Sequence, residues 1–250
     1  MKITPIKTHK ITVKDSDLLK ILDRYVPKLK ERSIVAITSK IISICEGAVV
    51  PKGNLKKQSL VEKEADLYLP LASNKYGFHL TIKNGTMIAS AGIDESNGNG
   101  FYVLWPRNMQ KTVNGIRSHL VRKHKVKNLG VIIVDSKTTP LRWGTVGTTL
   151  AYSGFSALNN YVGKKDLFNY RMRVTRSSIY EGLGASTVLA MGEGAESTPI
   201  AIVEDASFVR YQRRNPTSEE LKSLSISIED DVFAPILTKA KWISGKKKTK

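Results

Sequence analysis

The chain has 250 residues, of which 41% are hydrophobic and 25% are charged, a composition typical of a globular protein rather than a disordered one. Its single cysteine, Cys45, excludes an intramolecular disulfide and a cysteine-rich zinc site, and its net charge of +18 indicates anionic partners. The sequence contains neither a membrane-length apolar run nor the apolar core of a signal peptide, so we expect a cytoplasmic protein with no membrane partner.

Predicted strands and helices alternate along the chain. The first half predicts a strand at 2–6, a helix at about 15–30 that Pro27 kinks or shortens, a buried strand at 34–38, a helix at 59–71, and a hairpin of 79–83 and 86–91 around Asn84-Gly85. The second half predicts a helix at 109–125, a buried strand at 129–134, a helix at 173–190 and a buried strand at 199–203. This alternation predicts a mixed α/β (α+β) fold.

Three acidic residues follow predicted elements directly. Asp94 opens a loop rich in Gly, Asn and Ser, Asp135 and Ser136 follow the buried strand 129–134, and Glu193 lies between two glycines after a long helix. Oxygen ligands at strand ends suit hard divalent cations that hold nucleotide phosphates. Taken singly, each residue is more typical of a turn, a helix cap or a solvated loop, and the sequence has neither a P-loop nor a GxGxxG turn.

Two basic segments, 117–127 and 246–250, carry much of the positive charge. Such runs are typical of a solvated helix face and a disordered tail. Aromatic residues do not alternate with the basic ones in a stacking pattern, so nucleic acid is not the expected partner. A nucleic-acid-binding module remains an alternative, although it leaves the acidic residues at the strand ends without a role.

Several motifs together resemble one known family. They are Ile37-Thr-Ser-Lys-Ile-Ile-Ser-Ile-Cys-Glu-Gly47, Ala91-Gly-Ile-Asp-Glu-Ser-Asn97, Gly130-Val-Ile-Ile-Val-Asp-Ser136 with Arg142 and Gly144, Tyr161-Val-Gly-Lys-Lys-Asp166, and Met191-Gly-Glu-Gly194 with Pro199. In this order and spacing, from about residue 3 to 205, the chain resembles the coenzyme F420-0:L-glutamate ligase family. The resemblance implies that family's fold, with residues 1–205 as the catalytic domain and 206–250 as a C-terminal extension.

The resemblance also implies a set of ligand-binding residues. Two Mg²⁺ or Mn²⁺ ions, with K⁺ as a further candidate, are expected at oxygen-bearing side chains: Ser39, Asp94, Asp135, Ser136 and Glu193. GTP or ATP is expected at an N-terminal segment, a loop asparagine and the last glycine loop: His9, Lys10, Ile11, Thr12, Asn97, Met191, Gly192 and Gly194. Lys40 and Arg142 are candidate clamps for phosphate or carboxylate groups.

The implied reaction is amide-bond formation by a homodimer. The γ-phosphoryl group of the nucleotide activates an acceptor carboxylate as an acyl phosphate, and the amine of L-glutamate then displaces phosphate. The implied acceptor is an anionic small molecule resembling coenzyme F420-0, and a folate would use the same chemistry.

Two positions depart from the family pattern. A nucleotide-contacting lysine of the family aligns with Ile44, and an acidic pair of the family aligns with Glu181-Gly182, so that one carboxylate is lost. These departures leave open a non-catalytic relative that binds nucleotide without turnover.

Overall fold

The computed structural model describes residues 1–245 and has the predicted mixed α/β architecture. The strands are β1 (Lys2–Ile6), β2 (Ser33–Thr38), β3 (Val49–Pro51), β4 (Leu67–Tyr68), β5 (Leu80–Lys83), β6 (Thr86–Ala89), β7 (Phe101–Val103), β8 (Leu129–Thr138), β9 (Thr145–Ser153), β10 (Leu158–Asn160), β11 (Arg176–Ser178), β12 (Ile200–Glu204) and β13 (Ile243–Ser244). The α-helices are α1 (Leu18–Tyr25), α2 (Ser39–Cys45), α3 (Lys57–Glu64), α4 (Met109–His124), α5 (Ile179–Met191), α6 (Ser218–Lys222) and α7 (Ala234–Leu237).

A five-stranded sheet in the order β1-β12-β2-β8-β9 forms the centre of the fold. Only β2 and β8 are parallel neighbours, and the other three pairings are antiparallel. Residues Ile34–Ile37 and Leu129–Val134 are buried, as expected for strands covered on both faces. Helices α1, α2 and α4 cover one face, and α5 covers the other, so two apolar cores flank the sheet.

A smaller unit carries the loop that contains Asp94. Strands β13, β4, β5 and β6 form an antiparallel sheet, and β3 pairs with β7. Its core lies between α3 and the turn after β6, with Leu60, Val61, Ala91 and Ile93 buried.

Sheet topology brings separate segments of the chain to one edge of the central sheet. Parallel β2 and β8 end there together, since Thr38 pairs with Val134, and both chains continue into predicted site residues. Antiparallel β12 begins at the same edge, and Ile6 at the end of β1 pairs with Ile200. The loop before β12 and the segment after β1 therefore lie beside the carboxyl ends of the parallel strands, where α/β sheets place ligands.

Three predicted helices have different bounds in the structure. Helix α1 ends at Tyr25, before Pro27. The predicted helix 59–71 is wrong beyond Glu64, because Leu67 pairs with Ile82 and the chain joins the small sheet. The predicted helix 173–190 begins only at residue 179, because 176–178 form a strand that pairs with β10.

The C-terminal part returns to the body of the protein. Ala206 and Val209 are buried in the core beneath α5, and β13 pairs with β4. The division at residue 205 stays a prediction, and the predicted disordered tail, Lys246–Lys250, lies outside the described residues. Across residues 1–245, no helix has both the length and the apolar character of a membrane span. Cys45 is buried, and burial raises the pKa of its thiol to about 11.

Candidate functional site

Asp135 lies where β8 leaves the apolar core. Its Oδ2 accepts hydrogen bonds from Ser39 Oγ at 3.1 Å and Trp105 Nε1 at 2.5 Å, and its Oδ1 accepts one from the Ser136 amide at 2.8 Å. Burial raises the pKa of the Asp135 carboxyl to about 6, against these hydrogen bonds, and the nearby charge of Asp94 adds to the rise. Within the part of the chain that the structure describes, the carboxyl therefore has hydrogen-bond donors around it but no direct cationic partner.

Asp94 has the opposite surroundings. Its Oδ2 lies 2.5 Å from Lys40 Nζ, and its Oδ1 accepts hydrogen bonds from the amide and the hydroxyl of Ser96 at 3.0 and 2.8 Å. Burial favours the neutral acid, but the charge of Lys40 and the hydrogen bonds from Lys40 and Ser96 outweigh it, so the pKa of Asp94 is lowered. In this geometry Lys40, the predicted phosphate clamp, is the counterion of a predicted metal ligand.

Trp105 is a site residue that sequence reasoning missed. Its indole is 3% exposed and joins the small unit to the central sheet through its bond to Asp135. Gly92, with φ of 67°, packs so closely that a Cβ there would lie 2.2 Å from Trp105 Nε1. A glycine two residues before the aspartate in the Ala-Gly-Ile-Asp motif was the available signal.

Ser136 faces the other side of β8, because successive side chains of a strand point in opposite directions. Its Oγ donates to Glu193 Oε1 at 2.7 Å, and Thr145 Oγ1 donates to the same oxygen at 3.2 Å. The predicted ligands therefore form two groups on opposite faces of the strand end, one around Asp135 and one around Glu193.

The loop between α5 and β12 lies beside the Asp94 loop. Asn97 Nδ2 donates to the carbonyl oxygen of Gly194 at 3.1 Å. The Gly194 amide donates to the Glu196 carboxylate at 2.8 Å, and Glu196 also lies close above Gly192, whose φ is 81°. Met191 itself is buried beneath the loop and accepts a hydrogen bond from Thr198 through its carbonyl oxygen.

The N-terminal segment 9–12 reaches the same region. His9 contacts the Asp15 carboxylate at 2.9 Å and the Tyr25 hydroxyl at 2.8 Å, and the Thr12 amide donates to Asp15 at 2.8 Å. Ile11, Thr12 and Asn97 line a narrow groove whose apolar wall includes Ile44. The structure thus brings three of the predicted nucleotide residues together with the position that departs from the family.

Arg142 and Lys10 are predicted site residues that the structure does not join to these contacts. Arg142 lies in the exposed turn between β8 and β9, and Lys10 is likewise exposed. Within the described chain, neither side chain makes a hydrogen bond to the groups around Asp94, Asp135 or Glu193.

Oxygen donors dominate the site, which suits a hard divalent cation. Among residues 1–245, no three His, Cys, Asp or Glu side chains lie close enough together to hold a metal ion by themselves. Magnesium, however, is usually held by one or two carboxylates, with water and phosphate oxygens completing the shell. Asp94 and Asp135 are near enough to affect each other's ionisation, and an ammonium group already lies on Asp94, so the donors fit a cation of this kind.

The chain is similar to known proteins of one family. A family model described as F420-0:Gamma-glutamyl ligase matches residues 5–205. A coenzyme F420:L-glutamate ligase of Methanocaldococcus jannaschii is 31% identical over 196 residues, covering 78% of this chain and 78% of the relative. One of Methanococcus maripaludis is 29% identical over 210 residues, covering 77% and 82%. Since the family model matches most of its length, this chain belongs to the F420-0:Gamma-glutamyl ligase family.

Proposed function

We propose that the protein is a metal-dependent γ-glutamyl ligase that uses GTP or ATP to join L-glutamate to a carboxylate of an acceptor resembling coenzyme F420-0. The observation that carries the proposal is the meeting of oxygen ligands and nucleotide-loop residues at one edge of the central sheet. Family membership supports the γ-glutamyl bond, and the site geometry supports the use of a nucleotide and a metal. The partners would be a nucleotide, L-glutamate and an anionic small-molecule acceptor.

The proposed metal ligands are the side chains around the end of β8. Ser39, Asp94 and Asp135 would serve one Mg²⁺ or Mn²⁺, and Ser136 and Glu193 a second, with K⁺ as a further candidate cofactor. The opposite directions of Asp135 and Ser136 support two positions rather than one. When bound, such ions neutralise charge on phosphate oxygens during phosphoryl transfer.

The proposed nucleotide site is the groove and the loop beside it. The Gly194 amide already donates to a carboxylate, so it can donate to a phosphate oxygen in the same way. Ile44 cannot bind phosphate, but Lys40 lies one helical turn earlier on α2 and hence on the same side of that helix. Its ammonium contacts Asp94 and Ser96, next to Asn97, which supports Lys40 as the replacement for the family lysine.

The residues of this chain would orient two successive displacements. Lys40 and the amides of the glycine loop would hold the nucleotide so that its γ-phosphoryl group faces the acceptor carboxylate. The resulting acyl phosphate would be attacked by the amine of L-glutamate, with phosphate leaving. Arg142, in the exposed turn between β8 and β9, would contact the acceptor or a phosphate.

A homodimer is proposed on the basis of exposed apolar side chains. In the segment 161–175, Leu167 is 96% exposed and Phe168 79%, while Leu141 and Trp143 in the β8–β9 turn are 98% and 92% exposed. Large apolar side chains exposed next to each other in the sequence, as in each of these two segments, support a contact surface. Sedimentation should give twice the chain mass, and Leu167→Glu with Phe168→Glu should reduce it to one chain. Leu189→Glu, at an 85% exposed position on α5, should not change the mass.

The reaction is tested by incubating purified protein with Mg²⁺ or Mn²⁺, GTP or ATP, L-glutamate and either coenzyme F420-0 or a reduced folate. The mass of coenzyme F420-0 should increase by that of one added glutamate, and phosphate should be released. A mass increase on the folate alone would change the acceptor but keep the chemistry. If neither acceptor gains mass while metal-dependent nucleotide binding persists, the protein is a non-catalytic relative.

A further inference from the structure

Glu181 reaches across the last strand of the central sheet. It belongs to the first turn of α5, which packs on the face that carries Ile132 and Val134. Its carboxylate nevertheless accepts a hydrogen bond from Thr148 Oγ1 at 2.9 Å. Thr148 pairs with Asp135 across β8 and β9, and paired residues lie on the same face of a sheet.

The neighbours of Thr148 on β9 show that Thr148 lies on the face of the sheet opposite α5. Thr149 Oγ1 donates to the Tyr180 carbonyl oxygen at 2.6 Å, and a Cβ on Gly147 would meet the backbone of Gly184, so positions 147 and 149 face the helix. Thr148, between them, faces away. Since β9 ends the strand order β1-β12-β2-β8-β9, the Glu181 side chain can pass around it to the Asp135 face.

Lys137 is the cationic neighbour of Glu181 on that face. It lies two residues after Asp135 on β8, and its Nζ is 3.7 Å from Glu181 Oε2. The two side chains are 26% and 32% exposed. By contrast, Arg214 and Glu220 form a close pair at 2.7 Å. The Lys137–Glu181 pair is loose and partly open to solvent, so each group can take another partner.

We infer that Glu181 and Lys137 bind the α-amino acid group of the incoming L-glutamate, with Glu181 accepting from its ammonium and Lys137 contacting its α-carboxylate. The inference rests on the proposed ligase function. An α-amino acid carries opposite charges a few ångströms apart, and the pair presents the complementary charges at a similar separation. Thr148 orients the carboxylate, and the position beside Asp135 brings the amine next to the proposed site of carboxylate activation.

Calorimetric titrations can test each contact without turnover. The ligands are L-glutamate, glutarate, which lacks the ammonium, and 4-aminobutyrate, which lacks the α-carboxylate, each added to protein with Mn²⁺ and a non-hydrolysable GTP analogue. Glu181→Gln should weaken L-glutamate and 4-aminobutyrate about tenfold or more and leave glutarate unchanged. Lys137→Met should weaken L-glutamate and glutarate and leave 4-aminobutyrate unchanged.

Matched variants separate binding from a structural role. Glu204→Gln and Lys30→Met alter a surface pair at 3.0 Å that is remote from the site, and they should leave all three affinities unchanged. If Glu181→Gln proves unstable, Glu181→Asp can be measured in its place. It keeps a carboxylate and should therefore retain part of the affinity for L-glutamate. Equal weakening of all three ligands and of the nucleotide, or no weakening at all, would overturn the inference. If the wild-type protein binds L-glutamate in this pattern but does not ligate it, only the proposed function fails.

Discussion

The Asp94 loop and the Asp135 strand end hold two carboxylates in contrasting surroundings. Asp94 is paired with Lys40, and its pKa is lowered, whereas Asp135 receives neutral hydrogen bonds from Ser39 and Trp105, and burial raises its pKa to about 6. One acid thus keeps its charge through a protein cation, and the other has no direct cationic partner among residues 1–245. The proposed metal ion would supply the positive charge that Asp135 does not receive from residues 1–245.

Removing the charge of Asp135 should have the largest effect on metal binding and turnover. Asp135→Asn should keep the fold and lower affinity for Mn²⁺ and turnover by about a hundredfold or more, since changes even in residues that only support a ligand cost about 10–100-fold. Electron paramagnetic resonance of Mn²⁺ measures the affinity. Asp205→Asn, at an exposed position with φ of 55°, is the matched control and should change neither quantity. Unchanged Mn²⁺ affinity in Asp135→Asn would remove this carboxylate from the site.

Gly92→Ala should disturb the contact that joins the two regions. The new Cβ would overlap the Trp105 indole, and alanine is strained at a φ of 67°, so the free energy of unfolding should fall by about 3 kcal/mol. Chemical denaturation measures this loss. Gly47→Ala, at φ of 71° with open space around it, carries only the backbone strain and should cost less. Equal losses in both variants would show that the indole contact is unimportant.

Lys40→Met sharpens the contrast between the two acids. Asp94 would lose the cation that lowers its pKa, and the nucleotide would lose its proposed clamp, so the KM for nucleotide should rise about tenfold or more. Lys52→Met, which removes a lysine 3.1 Å from Glu95 in the same loop, should leave that KM within about twofold. A KM for nucleotide that does not respond to Lys40→Met would confine Lys40 to its pairing with Asp94.

The raised pKa of Asp135 makes stability depend on pH. Without metal, the folded-state pKa of Asp135 is about 6, above the ordinary value of 3.8. Protonation of Asp135 therefore favours the folded state below about pH 4, and this contribution to the free energy of unfolding is lost as pH rises towards 6. Asp135→Asn should lack this decline when unfolding is measured in a chelator. The pKa of Glu220, lowered to about 2 chiefly by its hydrogen bonds with Arg214, acts in the opposite direction only below pH 4.5. Identical profiles for both proteins between pH 4.5 and 7 would contradict the assignment.

Deleting Lys246–Lys250 should have the smallest effect. The segment has no apolar residue to bury, so the free energy of unfolding should stay within about 0.5 kcal/mol and turnover should not change. A large fall in melting temperature would show that the segment packs on the body of the protein.

The site residues that the sequence predicts are those whose position follows from a local pattern. Asp135 and Ser136 were predicted because a buried apolar strand ends just before them, and the Asn84-Gly85 hairpin because its turn chemistry is specific. Trp105 was missed, since its role depends on a contact with Asp135, which follows it by 30 residues in the sequence and lies in the central sheet. The pairing of Lys40 with Asp94 and the path of Glu181 around β9 likewise depend on tertiary packing rather than on spacing.

In the proposed reaction, an acceptor carboxylate is activated by phosphoryl transfer before L-glutamate is added. This order can be tested with an acceptor whose carboxylate carries two ¹⁸O atoms. We predict that one ¹⁸O appears in the released phosphate for each glutamate joined to the labelled carboxylate, because the bond from carbon to that oxygen breaks when the amine attacks the acyl phosphate. Unlabelled phosphate accompanying a glutamylated product would contradict this route, and the absence of glutamylated product would contradict the ligase function itself.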